Sequence, residues 1–180
     1  PAHLALFGYH PYQVEFGRGA LEAMGSDFDM LPGDLAARAN FATLKTPATP
    51  TKSAATPTSV VLDRRAARPT DGENKRLCAK LAAALGPKIG DSQVFLLPGK
   101  EHRFTVVFRG GKLGAALNDN DPQREERPLL VIAAQDPSAS PAANVVNEFL
   151  LAALDVLADE PKANGMLLRG FSNLPEVRPF

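Results

Sequence analysis

The order of apolar and polar residues divides the chain into short segments with strand-like or helix-like periodicity. The stretch LAARANFATL at residues 35–44 has an extended character, and the apolar run at residues 59–63 is typical of a β-strand. Residues 93–97 and 103–109 flank the turn residues PGKE, and the second run alternates apolar with polar side chains. We therefore predict a β-hairpin that packs on a core through one face, and a short strand at residues 165–169.

Two segments have the spacing of amphipathic helices. A capping box at residues 70–73 precedes leucines that recur every four residues until Gly86 ends the pattern. The second segment begins with Ser140 and Pro141, since proline favours the first turn of a helix. Apolar residues cover more than half of its circumference through residue 159, which predicts a largely buried helix.

The remaining segments have the composition of loops. Residues 45–59 contain three prolines and five threonines and no large apolar side chain, which predicts an exposed, mobile loop. The polar stretch NDNDPQREER at residues 118–127 predicts a surface loop of mixed charge. Strand, helix, hairpin, helix and strand together predict an α/β (α+β) fold, a compact mixed-sheet domain with two main helices.

Composition narrows the class of protein. The 180 residues suit one domain, and 44% hydrophobic with 22% charged residues exclude whole-chain disorder, collagen and coiled coil. With 20 basic and 20 acidic side chains the net charge is zero, so we expect no nucleic-acid and no membrane partner. The single Cys78 is interpreted as an apolar filler. Without a membrane-length apolar run or a secretory leader, a cytoplasmic protein is the simplest expectation.

Cationic side chains next to turns are the candidate chemistry of this chain. Common nucleotide-binding, hydrolase and zinc motifs are missing from the sequence. Arginine binds phosphate or carboxylate oxygens in a bidentate manner, so clustered arginines at strand ends suit a small phosphorylated acid. The candidates are Arg18 between two glycines, the triplet Arg64, Arg65 and Arg68 after a strand, and His102 with Arg103 at the start of another.

Each candidate also has an ordinary structural interpretation. Arg18 can bind carbonyls in a turn, the arginine triplet can be a solvated face, and His102 can be structural. Asp119 and Asp121 could hold a cation or orient an arginine, or simply form Asx turns. These signals alone indicate an anion-binding domain without a defined purpose.

In order along the chain, several motifs resemble one family. GRGALEA, LPGD, DRRAAR, EHRFTVVFRG, NDNDP and AANVVNEFLLAALDVL are similar to segments of archaeal-type, cofactor-independent (2,3-bisphosphoglycerate-independent) phosphoglycerate mutases. The similarity spans nearly all of the chain and is interrupted mainly by the loop at residues 45–59. It implies the inserted, substrate-capping domain of an alkaline-phosphatase-like enzyme. Residues 1–30 would lead in from the core, residues 31–170 would form the cap, and residues 171–180 would return toward the core.

The resemblance also implies an activity. Such enzymes interconvert 3-phosphoglycerate and 2-phosphoglycerate, a step of glycolysis and gluconeogenesis, through a phosphoserine and two divalent metal ions (Mn, Zn or Mg). The nucleophilic serine would precede Pro1 and the metal ligands would belong to the core, so we expect this chain alone to bind no metal and to be inactive. Arg64, Arg65, Arg68, His102 and Arg103 are then candidate substrate-binding residues, and His102 could also move a proton.

Two departures from the family pattern affect the interpretation. Ala67 stands where the family usually has glycine, and Gln123 where it usually has histidine. The Ala67 change can forbid a positive backbone angle. A non-catalytic module that binds an anion or a partner protein, and a homologue acting on another phosphate or phosphonate ester, therefore stay open as alternatives.

Overall fold

The computed structural model describes residues 17–45 and 59–174, which form a seven-stranded sheet with helices on both faces. In chain order the elements are α1 (Arg18–Gly25), β1 (Leu35–Lys45), β2 (Val60–Asp63), α2 (Asp71–Leu85), β3 (Lys88–Ile89), β4 (Ser92–Pro98), β5 (Arg103–Arg109), β6 (Arg127–Pro128), a 3₁₀ turn (Pro137–Ala139), α3 (Ser140–Leu157) and β7 (Gly165–Asn173). The predicted fold class and its two main helices are confirmed, and α1 is an additional short helix.

Strand β1 is the centre of the sheet. It pairs with β5 from Leu35 to Asn40 and with β7 from Leu35 to Ala42, and its last residues pair with β2. The order is β3-β4-β5-β1-β2-β6, with β7 beside β1. Every pairing among the described strands is antiparallel, so the prediction of a mixed sheet is wrong in this respect. Short connections explain the antiparallel pairs β3–β4 and β4–β5, whereas β1 pairs with β5 and β7 across long stretches of chain.

The main core lies between the sheet and the two long helices. Phe41 stacks on Phe104 with ring centroids 4.3 Å apart, and Phe108 meets Phe149 of α3 edge to face at 5.4 Å. Thr70 caps α2 by accepting a hydrogen bond from the Glu73 backbone N–H, and the helix ends at Leu85. Both long helices therefore begin where the sequence predicted, since capping and apolar spacing are local properties.

The opposite face of the sheet is covered by α1. Ala20 and Ala23 of the helix are buried together with Ala36 and Val107 of the sheet. A Cβ on Gly19 would lie 2.3 Å from the Ala36 carbonyl oxygen, so glycine is what lets the helix approach. The predicted one-face packing of the hairpin is thus wrong: β5 is buried on both faces, because a second layer covers it.

The polar stretch at residues 118–127 is not simply a surface loop. Asn120 and Asp121 are buried. The Asn120 backbone N–H donates to the Leu168 carbonyl, and its side-chain Oδ1 accepts from the Leu168 N–H at 2.6 Å. Asp119 accepts from the Gly170 N–H in the same manner. Residues 119 and 120 therefore pair along β7 and satisfy polar groups of that strand, whereas Glu125 and Glu126 at the end of the stretch are exposed.

Several predictions fall on residues outside the described ranges. The predicted mobile loop falls almost wholly at residues 46–58, and the predicted lead-in and return segments fall partly at residues 1–16 and 175–180. No helix in the described ranges combines the length and the apolar character needed to cross a membrane.

Candidate functional site

All five predicted site residues line one hollow of about 290 Å³. The turn after β2 contributes Arg64, Arg65 and Arg68, and the start of β5 contributes His102 and Arg103. The predicted convergence of these side chains is therefore present in the fold. The other lining residues, which the sequence did not indicate, are Arg38 and Asn40 of β1, Arg169 of β7 and Glu101.

The turn that presents the arginine triplet has an unusual backbone. Ala66, Ala67 and Arg68 have φ angles of 48°, 55° and 54°, three successive residues in the left-handed region. This conformation is costly for residues other than glycine. The Asp63 carboxylate offsets part of the cost by accepting from the backbone N–H groups of Arg65 and Ala67, at 2.8 and 2.6 Å. Alanine at position 67 thus adopts a positive φ, so the expectation that alanine would forbid such an angle here is wrong.

Arg64 is held by a buried carboxylate. Its Nε and one terminal nitrogen donate to the two oxygens of Asp121 at 3.0 and 2.6 Å. These hydrogen bonds to the carboxylate raise the pKa of Arg64 above its ordinary value, although partial burial lowers it. Asp121 also accepts from the Gln123 N–H at 2.8 Å. Of the three roles that the sequence left open for Asp121, the structure supports the orientation of an arginine, together with an Asx turn to the Gln123 N–H.

Two arginines face each other across neighbouring strands. Arg38 and Arg169 are direct partners in the register of β1 and β7. Like charges at such positions repel each other. Burial, and next to it the charge of Arg38, lower the pKa of Arg169. Glu22 partly compensates through an ion pair with Arg38 at 2.7 Å, and Asp121 through a longer contact with Arg169 at 3.7 Å. An anion placed between the strands would relieve the repulsion that remains.

His102 is a buried residue of the hollow. The residue is 9% exposed, and its Nδ1 is buried without a hydrogen-bond partner among the described residues. The Glu101 carboxylate lies 3.7 Å from that atom, too far for a hydrogen bond. Burial, followed by the nearby arginines, lowers the pKa of His102 and outweighs the opposing effect of Glu101. The imidazole is therefore neutral at pH 7 and can accept a proton or a hydrogen bond.

The hollow has the charge of an anion site. Six arginines and one glutamate line it, while in the described ranges no acidic side chain is within ion-pairing distance of Arg65, Arg68 or Arg103. Planar guanidinium groups that point into one space can bind several oxygens of a phosphate or carboxylate. In the same ranges no three His, Cys, Asp or Glu side chains are grouped as metal ligands.

The other candidates lie elsewhere. Arg18 begins α1 and does not line the hollow, so it is a helix-start residue rather than a turn residue. Cys78 is buried in the main core, which raises the pKa of its thiol to about 12. This agrees with its interpretation as an apolar filler.

The missed residues carry a weak signal in the sequence. Arg38 and Arg169 are single charges inside otherwise apolar strands, LAARANF and GMLLRG, and such a charge needs a partner or a ligand. Their position opposite each other depends on the pairing of β1 with β7, and no sequence pattern specifies that pairing.

Comparisons with known proteins place the chain in a family. The family model described as 2,3-bisphosphoglycerate-independent phosphoglycerate mutase matches residues 1–163. Probable mutases of this type from Thermus thermophilus and Thermotoga maritima are 45% and 41% identical over 97% and 100% of the chain. The chain spans 40% and 42% of their lengths.

A solved structure shows the same fold. The cofactor-independent phosphoglycerate mutase from Thermoplasma acidophilum superposes with a TM-score of 0.76 at 33% identity, over 98% of this chain and 47% of that one. The chain belongs to the family of 2,3-bisphosphoglycerate-independent phosphoglycerate mutases.

Proposed function

We propose that this chain is the substrate-capping part of a phosphoglycerate mutase that interconverts 3-phosphoglycerate and 2-phosphoglycerate. The observation that carries the proposal is the convergence of Arg64, Arg65, Arg68, His102 and Arg103 on one hollow. Phosphoglycerate bears a phosphate and a carboxylate, two anionic groups that guanidinium groups bind in a bidentate manner. The partners proposed are this substrate and the phosphatase-like core of a longer protein, with no nucleic acid and no membrane, and the location proposed is the cytoplasm.

The residues of the hollow have separable tasks in this proposal. Arg65, Arg68 and Arg103 hold the anionic groups of the substrate, because no ion pair among the described residues competes for them. Arg64, already held by Asp121, provides a fixed positive charge at the wall of the hollow. Neutral His102 accepts the proton of a glycerate hydroxyl or orients it.

The chemistry of transfer belongs to the proposed core. Two divalent metal ions there (Mn, Zn or Mg) would stabilise the attacking and leaving oxygens of the phosphoryl group. The described residues provide no cluster that fits a metal ion, so no step of this chain is routed through one. A cap would keep glycerate from escaping and water from entering between the two half-reactions, since hydrolysis of a phosphoserine is the competing outcome.

Binding of 3-phosphoglycerate to the 180-residue chain tests the site. Titration calorimetry should show one site, and Arg65→Ala, Arg68→Ala or Arg103→Ala should each weaken it about 10- to 100-fold, because a hydrogen bond to a charged group contributes about 1.5–3 kcal/mol. Arg124→Ala, an exposed arginine outside the hollow, is the control and should change nothing. Equal affinity in all four variants would assign the arginines to a solvated face.

Turnover tests the activity. A longer protein that contains this chain should convert 3-phosphoglycerate in a metal-dependent manner, while the 180-residue chain should not. Binding without turnover in the longer protein would favour the non-catalytic anion-binding module. Turnover of only another phosphate or phosphonate ester would favour the divergent homologue.

A further inference from the structure

A buried amide on α2 holds the turn that carries His102 and Arg103. Asn74 is fully buried, and its Nδ2 donates to the Glu101 carbonyl at 2.7 Å and to the Arg103 carbonyl at 2.8 Å. These two carbonyls flank His102 in the chain. One side-chain amide therefore fixes the backbone on both sides of the histidine.

The same short segment is held from two further directions. The Phe41 N–H of β1 donates to the His102 carbonyl at 2.8 Å. The Asp71 carboxylate at the start of α2 accepts from the Glu101 N–H at 2.8 Å. Glu101 itself has a positive φ of 54°, a conformation that persists only where its surroundings enforce it. The direction of the imidazole thus depends on contacts from both the helix and the sheet.

Helix α2 also connects this turn to the arginine triplet. Arg68 is separated from the cap residue Thr70 only by Pro69, and the Asn74 N–H donates to the Thr70 carbonyl at 2.9 Å. The first turn of α2 therefore begins next to Arg68, at one wall of the hollow. Through Asn74 it also binds residues 101–103, which form the other wall. A shift of the helix would change the distance between the two walls.

An apolar side chain would be the ordinary choice at this position. Asn74 lies on the buried face of α2 with Leu77, Cys78 and Leu81. The buried amide is tolerated because its polar atoms have hydrogen-bond partners: Nδ2 donates to the two turn carbonyls, and Oδ1 accepts from the Cys78 thiol at 3.7 Å. Replacement by leucine would leave the two turn carbonyls without the amide donor.

We propose that Asn74 is a positioning residue, which fixes His102 and Arg103 against Arg68 across the hollow. Its effect on phosphoglycerate affinity rests on the proposed function, whereas its effect on the orientation and burial of His102 does not. The two effects are measured separately.

Affinity is the first measurement. In the full chain, Asn74→Ala should weaken 3-phosphoglycerate binding about tenfold or more, since misplacement of charged donors loses their hydrogen bonds. Asn74→Ser retains a donor and should weaken it less. Leu81→Ala, on the same buried face, is the matched control: it should lower the melting temperature yet leave the dissociation constant within about twofold.

Titration of His102 by NMR is the second measurement. In the unmodified chain, burial lowers the pKa of His102. The charges of Arg103, Arg65 and Arg68 lower this pKa further, whereas Glu101 raises it. In Asn74→Ala the loosened turn should admit water, so the pKa of His102 should rise toward the ordinary value of about 6.5. Leu81→Ala should leave it unchanged. The chain has three histidines, and His102→Gln identifies the signal.

The outcomes separate the two proposals. Unchanged His102 pKa and unchanged affinity in folded Asn74→Ala and Asn74→Ser would overturn the positioning role. Loss of folding in both, with Leu81→Ala folded, would overturn it as well and make Asn74 a core residue. Failure of the unmodified chain to bind phosphoglycerate would overturn the proposed function, and the titration alone would then decide on Asn74.

Discussion

The left-handed turn that presents the arginines leads to a quantitative prediction. Ala67 is exposed and has a φ of 55°, so its methyl group gains no burial and pays the steric cost of this conformation. The cost for a residue with a Cβ is about 1–2 kcal/mol. Glycine removes it but loses about 0.5–1 kcal/mol more backbone entropy on folding. Ala67→Gly should therefore stabilise the chain by about 0.5–1 kcal/mol.

Thermal unfolding followed by circular dichroism measures the effect. For a chain of this size about 1 kcal/mol corresponds to about 2–4 °C, so the melting temperature should rise by about 1–4 °C. Ala79→Gly, at an exposed position inside α2, is the matched control and should cost about 1 kcal/mol. If Ala67→Gly lowers the melting temperature as Ala79→Gly does, the turn does not have a positive φ at this position and the reasoning is wrong.

Three further predictions concern the stability of the fold. Phe149→Ala should cost about 3–5 kcal/mol in urea unfolding, whereas Leu151→Ala, on the exposed side of α3, should cost little. Hydrogen bonds from Arg76 and Lys80 lower the pKa of Glu160 to about 2, so the stability that ionised Glu160 contributes is present above pH 4.5 and should be lost as the pH falls toward 2. Glu160→Gln should flatten this part of the plot of stability against pH, and an unchanged plot would contradict the prediction. Arg109→Ala should cost about 1–3 kcal/mol and Arg109→Lys less, because the guanidinium forms a bidentate pair with the buried Asp34; equal stability of both with the parent chain would refute this.

Burial on both faces of β5 shows where periodicity was applied too narrowly. The run RFTVVFR places Val106 beside Val107, so both faces of the strand carry apolar side chains. The prediction used only the alternation that includes Phe104 and Phe108. Val107 is covered by α1. This helix has only eight residues, two of them glycines, so the sequence pattern did not indicate a helix there.

Asp121 shows a different limit. Its neighbours are polar and turn-forming, which is why the sequence predicts a surface loop. Its burial depends on Arg64, 57 positions earlier, whose two nitrogens replace water around the carboxylate. Local composition contains no information about such a distant partner.

The sequence by itself determined the local elements and most of the candidate site. Capping at Thr70, leucine spacing in α2 and the turn before β5 are properties of neighbouring residues, so their positions followed from the chain alone. The arginine motif and the His102-Arg103 pair were visible for the same reason. Only the tertiary structure decided that Arg38 meets Arg169, that Asp121 holds Arg64 and that Asn74 clamps the turn at His102. These contacts join residues far apart in the chain, and their energies depend on strand register and burial, which arise when the sheet and helices pack together.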